Sequence, residues 1–303
     1  MICAVSAGGS ISALFVIGHD AAHSCYSSSK TLDAVLGRLA LLPALHNFTL
    51  WRIVHNRMHH FELCVQGVNS WSPLSKEEFD RLPGWRRAME WLYRSPLGLG
   101  PYYFCERWLK DKFLPSARMR DTRPIQQWLD FAGILVFLGM LGVIFWFAAE
   151  ALKHLSSGEA WFWGFVVPFL VWNYLMGFTV YVQHTHPLVP WFRTKHDEDQ
   201  AGIGQHQLSV QLVFPKGFGL ISNNIMEHPA HHVNTKIPLY NLAKAQRHLN
   251  ELIGPAAVME RFTPWSFLRI MRYCKLFDYE NRQWLGFDGH PSVNRDPVPS
   301  FKI

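Results

Sequence analysis

Charge is what this sequence has least of. Only 17% of its 303 residues are Asp, Glu, Lys or Arg, against roughly a quarter in an ordinary soluble domain. In contrast, 49% are hydrophobic and 15% aromatic. That balance excludes an intrinsically disordered chain, which needs the opposite composition. Cysteine is also scarce: Cys3, Cys25, Cys64, Cys105 and Cys274 are odd in number and form no Cys-x-x-Cys pair. Neither a disulfide framework nor a thiolate zinc site is indicated, and reduced, buried thiols are expected. No Gly-x-Gly-x-x-Gly string is present for a dinucleotide, and there is no phosphate-cradling loop and no evident Ser, Cys or Lys nucleophile. The first residues lack the basic start of a signal peptide.

The missing charge is concentrated in long runs. Phe131 to Ala149 and Ala160 to Gln183 carry none. Each is long enough to cross a hydrocarbon layer of roughly 30 Å at about 1.5 Å per residue. The short connection between them predicts a hairpin in lipid, with a tolerable kink at Pro168. Met1 to Gly18 is also uncharged but rich in Ser and Gly, and reads as a weaker third span. The shorter runs Leu39–Trp51 and Ser95–Cys105 fit helices lying at the membrane surface. Arg52 to Arg123 holds 13 Lys or Arg, whereas the hairpin connection holds only Lys153, so the long basic segment and the C-terminal part are expected on the cytoplasmic side. The net charge of +6 is then accounted for by lipid head groups or an acidic protein partner, with no need of nucleic acid. The expected architecture is a single all-α integral membrane domain over residues 1–303, with a cytoplasmic helical cap.

What the sequence has in excess is histidine, 16 in all, and the histidines cluster. The groups are His19-Asp20-Ala21-Ala22-His23, His55-Asn56-Arg57-Met58-His59-His60 and Glu227-His228-Pro229-Ala230-His231-His232. On an α-helix, residues three and four apart share a face, so His19 pairs with His23, His55 with His59, and His228 with His231 and His232. His60 stands about 100° further round, an offset that predicts its reach to a second ion. His184 closes the last span at the same side and is preferred over its neighbour His186, because Pro187 stops the helix there. His19, His23, His55, His59, His60, His184, His228, His231 and His232 are too many ligands for one tetrahedral zinc, so two metals are expected. Imidazole alone does not choose among iron, copper, nickel and zinc. A metal site facing an apolar bilayer suits redox chemistry on an apolar substrate. Asp20 and Glu227 adjoin ligands and could accept a ring N–H, fixing a tautomer. His46, His154, His196, His206, His248 and His290 are read as ordinary hydrogen-bonded histidines.

Local strings extend the pattern: Trp51-Arg52-Ile53-Val54 before the second cluster, Asn69-Ser70-Trp71-Ser72-Pro73-Leu74-Ser75, Tyr181-Val182-Gln183-His184-Thr185-His186-Pro187, and Ile237-Pro238-Leu239-Tyr240-Asn241-Leu242 after the third. Together with the three histidine boxes, over nearly the whole chain, they resemble the membrane fatty acid desaturase superfamily, and within it the acyl-lipid desaturases of the delta-12/omega-6 type. The resemblance implies a non-haem centre of two iron ions held by the nine histidines. It also implies reduction of O2 with two external electrons and insertion of a cis double bond into a fatty acyl lipid or acyl thioester. Two departures stand out. Three residues separate His55 from His59, where many such desaturases have two. This spacing is similar to that of membrane alkane hydroxylases, so a hydroxylase or ketolase acting on alkyl, sphingoid or carotenoid substrates is the nearest alternative. The family also has four spans where three are visible, so a truncated or late-called start at Met1 is expected.

Two further expectations concern partners. Trp163, Phe165, Trp172, Tyr174 and Phe178 are candidates for the wall of a substrate channel. Without a nucleotide fingerprint or a His-Pro-Gly-Gly string, the electrons are expected from a separate ferredoxin or cytochrome b5-like donor, docked by Arg81, Arg86, Arg87, Arg107, Lys110 and Lys112. A metal transporter would need ionisable ligands near mid-membrane, which the two strong spans lack.

Overall fold

The uncharged start of the chain winds into α1 (Ile2–Ala22), a turn longer than the charge pattern marks, so that His19 lies on the helix and His23 caps it. The computed structural model describes residues 1–67, 71–114, 123–153, 155–254 and 257–293. Asn69, Ser70 and His154 lie outside the described residues. Helix α2 (Lys30–Leu41) starts on Ser29, whose hydroxyl accepts from the Leu32 N–H, and packs back along α1. A single 3₁₀ turn (Leu42–Ala44) with Leu45 at φ +49° reverses the chain. Asn47 then caps α3 (Phe48–Val54), which runs directly into a π-helical turn, His55–His59. The Leu39–Trp51 run is therefore not a surface helix. It is broken in the middle, and Leu41, Ala44, Leu50 and Trp51 are all buried.

Helix α4 (Lys76–Arg81) opens with a capping box between Ser75 and Glu78 and is followed by α5 (Gly84–Tyr93). The short α6 (Leu99–Tyr102) continues as a π-helix over Tyr103–Phe113. Then comes the hairpin: α7 (Pro124–Leu152), α8 (Ser157–Trp161), a π-helical stretch (Phe162–Val166) and α9 (Val167–His184). Pro168 lacks an N–H and sits at the start of α9, so the wide turn just before it absorbs the break in the ladder. Ile2–Ala22, Pro124–Leu152 and Ser157–His184 are the three described helices long and apolar enough to cross a membrane. Helix α7 is buried over only 6% of its most apolar window, against 39% in the other two, so its flanks face outward nearly all round.

Helices α1 and α9 pack so closely that a Cβ on Gly8 would lie 2.6 Å from the Val171 side chain and 2.8 Å from the Pro168 carbonyl oxygen. Both helices end among the histidines. Helix α7 begins near that end, tied to the α2–α3 corner by Asp130, which accepts from Arg38 Nε at 2.6 Å and from the Thr49 N–H at 2.7 Å. Asn47 adds a bond from Nδ2 to the Gln127 carbonyl at 2.6 Å. The remainder is a cap of short helices, α10 (Lys195–Ala201), α11 (Phe218–Ser222), α12 (His228–Val233), α13 (Leu239–Ile253) and α14 (Pro264–Tyr273). Two small sheets complete it: β1 (Gln211–Val213) parallel to β2 (Met259–Arg261), and β3 (Leu276–Asp278) antiparallel to β4 (Gln283–Leu285). No disulfide joins the five cysteines. Cys64 and Cys274 are buried as expected, but Cys3 is exposed on α1.

Candidate metal centre

Four separate segments bring nine imidazoles to one place. His19, His23, His55, His60 and His231 form one group, and His59, His184, His228 and His232 a second, with the ligand nitrogens of each group within 4.8 Å of one another. Helix ends supply most of them: the last turn of α1, the last residue of α9, and α12, where His228 and His232 are one turn apart. The second box departs from the α-helical expectation. The His60 N–H bonds to the His55 carbonyl, an i→i+5 step, so the wider winding puts His55 and His60 on one face and turns His59 toward the second group. It is His59, not His60, that reaches the second cluster.

The nitrogens are spaced as ligands of a common ion would be. Nε2 of His55 lies 3.1 Å from that of His19 and 3.0 Å from that of His60, and His231 Nε2 is 3.2 Å from His60 Nε2. In the second group, His228 Nε2 is 2.9 Å from Nε2 of both His184 and His232. Two imidazole nitrogens each about 2.1 Å from one ion, at an angle near 90°, stand about 3 Å apart. The Nε2 of His23 is buried with no partner among the described residues, an orphaned lone pair that an ion would satisfy. Burial, reinforced by the neighbouring imidazoles, holds His23, His55, His60, His228, His231 and His232 well below the usual histidine range. They are therefore neutral, the form that binds a metal. The donor set thus fits metal ions.

Outer partners orient two of the rings. His19 Nδ1 donates to the Asp20 carboxylate at 3.1 Å, and Asp20 also accepts from the Leu239 N–H at 2.6 Å, so α1 is clamped to α13 through the ring's support. His184 Nδ1 donates to the Leu208 carbonyl at 3.0 Å. Both bonds leave Nε2 with its lone pair directed into the site. Glu227 is placed differently: its carboxylate accepts from Gln211 Nε2 at 2.6 Å, and burial raises its pKa. His186 stands outside both groups, with Nε2 3.3 Å from Glu260 and Nδ1 accepting from the Leu188 N–H. His46 is a satisfied core histidine. Its Nδ1 donates to the Ala44 carbonyl, Nε2 accepts from the Tyr103 hydroxyl at 3.0 Å, and burial pulls its pKa down to about 3. His196, His206, His248 and His290 belong to neither group.

A largely apolar cleft with about 800 Å³ of space between atoms, part of it open to solvent, leads to the histidines. It touches both groups, through His19 and His55 of the first and His59 and His228 of the second. Of the five aromatic residues expected to line a channel, Trp172 does so, together with Phe15 and Trp51. The cleft face of α9 is Trp172, Met176, Thr179, Val180 and Gln183. Tyr174 and Phe178 fall on other sides of the helix, Phe165 stacks on Phe169 and Trp163 is exposed. Tyr103, Arg107 and Lys112 also line the cleft, which was not legible in the sequence because their common face depends on the π-helical winding of Tyr103–Phe113.

Long apolar helices that end in two buried sets of imidazoles beside an apolar cleft define a membrane-type protein with a polyhistidine site able to hold metal. The sequence model described as fatty acid desaturase matches residues 1–264, and the chain belongs to that family, whose members are metal-dependent. Among curated relatives, the chain is 28% identical over 293 residues to the chloroplastic omega-6 fatty acid desaturase of Spinacia oleracea, covering 96% of this chain and 62% of the relative. It is 27% identical to an sn-1 oleoyl-lipid 12-desaturase of a Picosynechococcus species, covering 93% of this chain and 78% of the relative. It is 28% identical to an sn-1 acyl-lipid omega-3 desaturase (ferredoxin) of a Nostoc species, covering 80% and 65%. The chain thus spans about three fifths of the length of the spinach relative.

Proposed function

We propose that this protein desaturates fatty acyl chains, removing one hydrogen from each of two neighbouring methylenes at a delta-12/omega-6-like position. O2, two external electrons and two protons are consumed, giving a cis double bond and two waters. The observation that carries this reading is the apolar cleft that touches both imidazole groups at once. Two iron ions held by the nine histidines would supply the oxidising power that an unactivated C–H bond requires.

The chain's own residues do the rest. Burial of methylenes, at about 0.8 kcal/mol each, draws an acyl chain into the cleft and displaces water. Phe15, Trp51 and Trp172 form rigid walls, with ring centroids 5.5 Å apart for Phe15–Trp51 and 5.8 Å for Phe15–Trp172, and so fix which carbons face the histidines. Asp20 and the Leu208 carbonyl hold His19 and His184 in the tautomer that directs Nε2 inward. The electrons come from a separate ferredoxin or cytochrome b5-like protein; ferredoxin is in the name of the Nostoc relative. The docking surface is narrower than the charge pattern suggests, since Arg86 and Lys110 are paired with Glu106 and Lys112 is buried, leaving Arg81 and Arg87 exposed. The excess of basic residues in Arg52–Arg123 supports a cytoplasmic site on a multi-pass protein; that the membrane is a bacterial inner one is part of the proposal.

Expression in a host that makes saturated and monounsaturated acyl chains, followed by gas chromatography of its lipids, tests the reading. A new diene, lost on His231→Ala, is the expected result. Hydroxylated or keto products would transfer the site to the hydroxylase alternative, and unchanged lipids with a co-expressed donor would contradict both.

A further inference from the structure

Lys112 is an anomaly in the cleft just described. It is only 4% exposed, yet among the described residues its ammonium makes no hydrogen bond or ion pair, and it lines a largely apolar cleft. Burial, aided by the Arg107 charge, brings its pKa down to about 7. An uncompensated cation in such a place is expensive unless an anion joins it. Arg107 stands beside it, lining the same cleft, with its Nε buried and unpartnered and only one long ion pair, Nη1 to Asp111 at 3.5 Å. Two cations against one carboxylate leave a single positive charge, the complement of a monoanion.

The backbone is arranged to make this pair. Over Tyr103–Phe113 the chain is wound as a π-helix, with a turn of between four and five residues, so Tyr103, Arg107 and Lys112 share one face. In an α-helix of 3.6 residues per turn, Lys112 would point roughly opposite to Tyr103. A winding so rarely used over this length brings both cations to the cleft. A run of ring contacts, 5.6 Å (His19–Trp51), 5.5 Å (Trp51–Phe15), 5.8 Å (Phe15–Trp172) and 5.8 Å (Trp172–Tyr103), connects the first histidine group to the π-helical face that carries the pair. Arg107 further lines a second, more polar cavity, with about 690 Å³ of space between atoms, together with Ser72 and Arg94, so it stands where apolar space gives way to polar space.

We propose that Arg107 and Lys112 form a receptor for the anionic end of the acyl substrate, a carboxylate or a phosphodiester, and so set how far its chain extends toward the histidines. This rests on the acyl-binding reading of the cleft. Arg107 offers paired N–H donors to two oxygens and Lys112 a point charge.

Equilibrium binding to the purified protein in a non-ionic detergent tests it, with oleate, 1-oleoyl-lysophosphatidylglycerol and uncharged methyl oleate as probes. At least one anionic probe is expected to bind tenfold or more tightly than methyl oleate. Lys112→Met is expected to remove most of that preference while methyl oleate still binds, and Lys112→Arg to retain it. Tighter binding of oleate assigns the receptor to a carboxylate, and of the lysolipid to a phosphodiester. Equal binding of all three probes, or a uniform loss in Lys112→Met, would overturn the receptor and leave the acyl cleft standing. Failure of every probe to bind would sink both. Thermal unfolding without ligand separates a structural role: Lys112→Met is expected to be at least as stable as the parent, and a large fall in its midpoint would contradict the proposal.

Discussion

His19 and His184 have different supports, one a carboxylate and the other a backbone carbonyl, and the two supports differ in what a substitution can do to them. Asp20→Asn keeps an acceptor in place but removes the charge that makes His19 a stronger donor ligand. We expect a loss of metal affinity of about tenfold or more, with the fold retained, read by metal titration of the stripped protein. An unchanged affinity would reduce Asp20 to its bond with the Leu239 N–H. His46 gives a pH signature. Its folded pKa of about 3 lies below the ordinary histidine value of about 6.5, so the unfolded chain binds the proton first. Its contribution to stability is complete above about pH 6.5 and is lost progressively as the pH falls toward 3, amounting to a few kcal/mol. The thermal midpoint should therefore fall between pH 7 and 4, and less steeply in His46→Gln. At this scale the clustered histidines were legible because their spacing in sequence is itself the signal. The bonding of Glu227 to Gln211 was not, since a carboxylate next to a ligand in sequence has no obligation to touch it.

Helical geometry decides which of those histidines work together. An α-helical projection pairs His55 with His59, whereas the π-helical turn pairs His55 with His60. The three residues between His55 and His59 are what the wider turn accommodates. The consequence is an asymmetry between neighbours. His60→Ala leaves four imidazoles in the first group, whereas His59→Ala leaves three in the second. We expect His59→Ala to lower the metal bound per chain toward one ion, while His60→Ala keeps two with one held more weakly, as elemental analysis of the purified variants would show. The reverse ranking would mean that the groups are drawn wrongly. Periodicity in the sequence assumes 3.6 residues per turn, so three π-helical stretches, at His55–His59, Tyr103–Phe113 and Phe162–Val166, were invisible to it. Charge counted along the segment, blind to this winding, put Arg107 and Lys112 on an outer docking surface, whereas both line the cleft.

Across the whole molecule, the long uncharged runs sufficed to mark the spans, because crossing a bilayer demands length and apolarity and little else. How the spans are joined to the cap depends on few bonds and was not legible. Asp130, at the head of the run in α7, anchors Arg38 and the Thr49 N–H and so ties the hairpin to the corner that leads into the second histidine box. Removing it leaves the buried Thr49 N–H and the partly exposed Arg38 guanidinium without their acceptor. Asp130→Ala is expected to lower stability by about 2 kcal/mol, measured as the thermal midpoint in detergent. A variant as stable as the parent would show that the corner is held by packing alone. Beyond these bonds, the molecule is organised around one demand, that histidines from both ends of the chain meet beside an apolar cleft as two separate groups able to hold metal. Metal analysis of the protein purified from an iron-supplemented host tests this most directly. Two iron ions per chain are expected, falling together with the diene product in His231→Ala. A single tightly held zinc, or full desaturase activity without iron, would contradict the account.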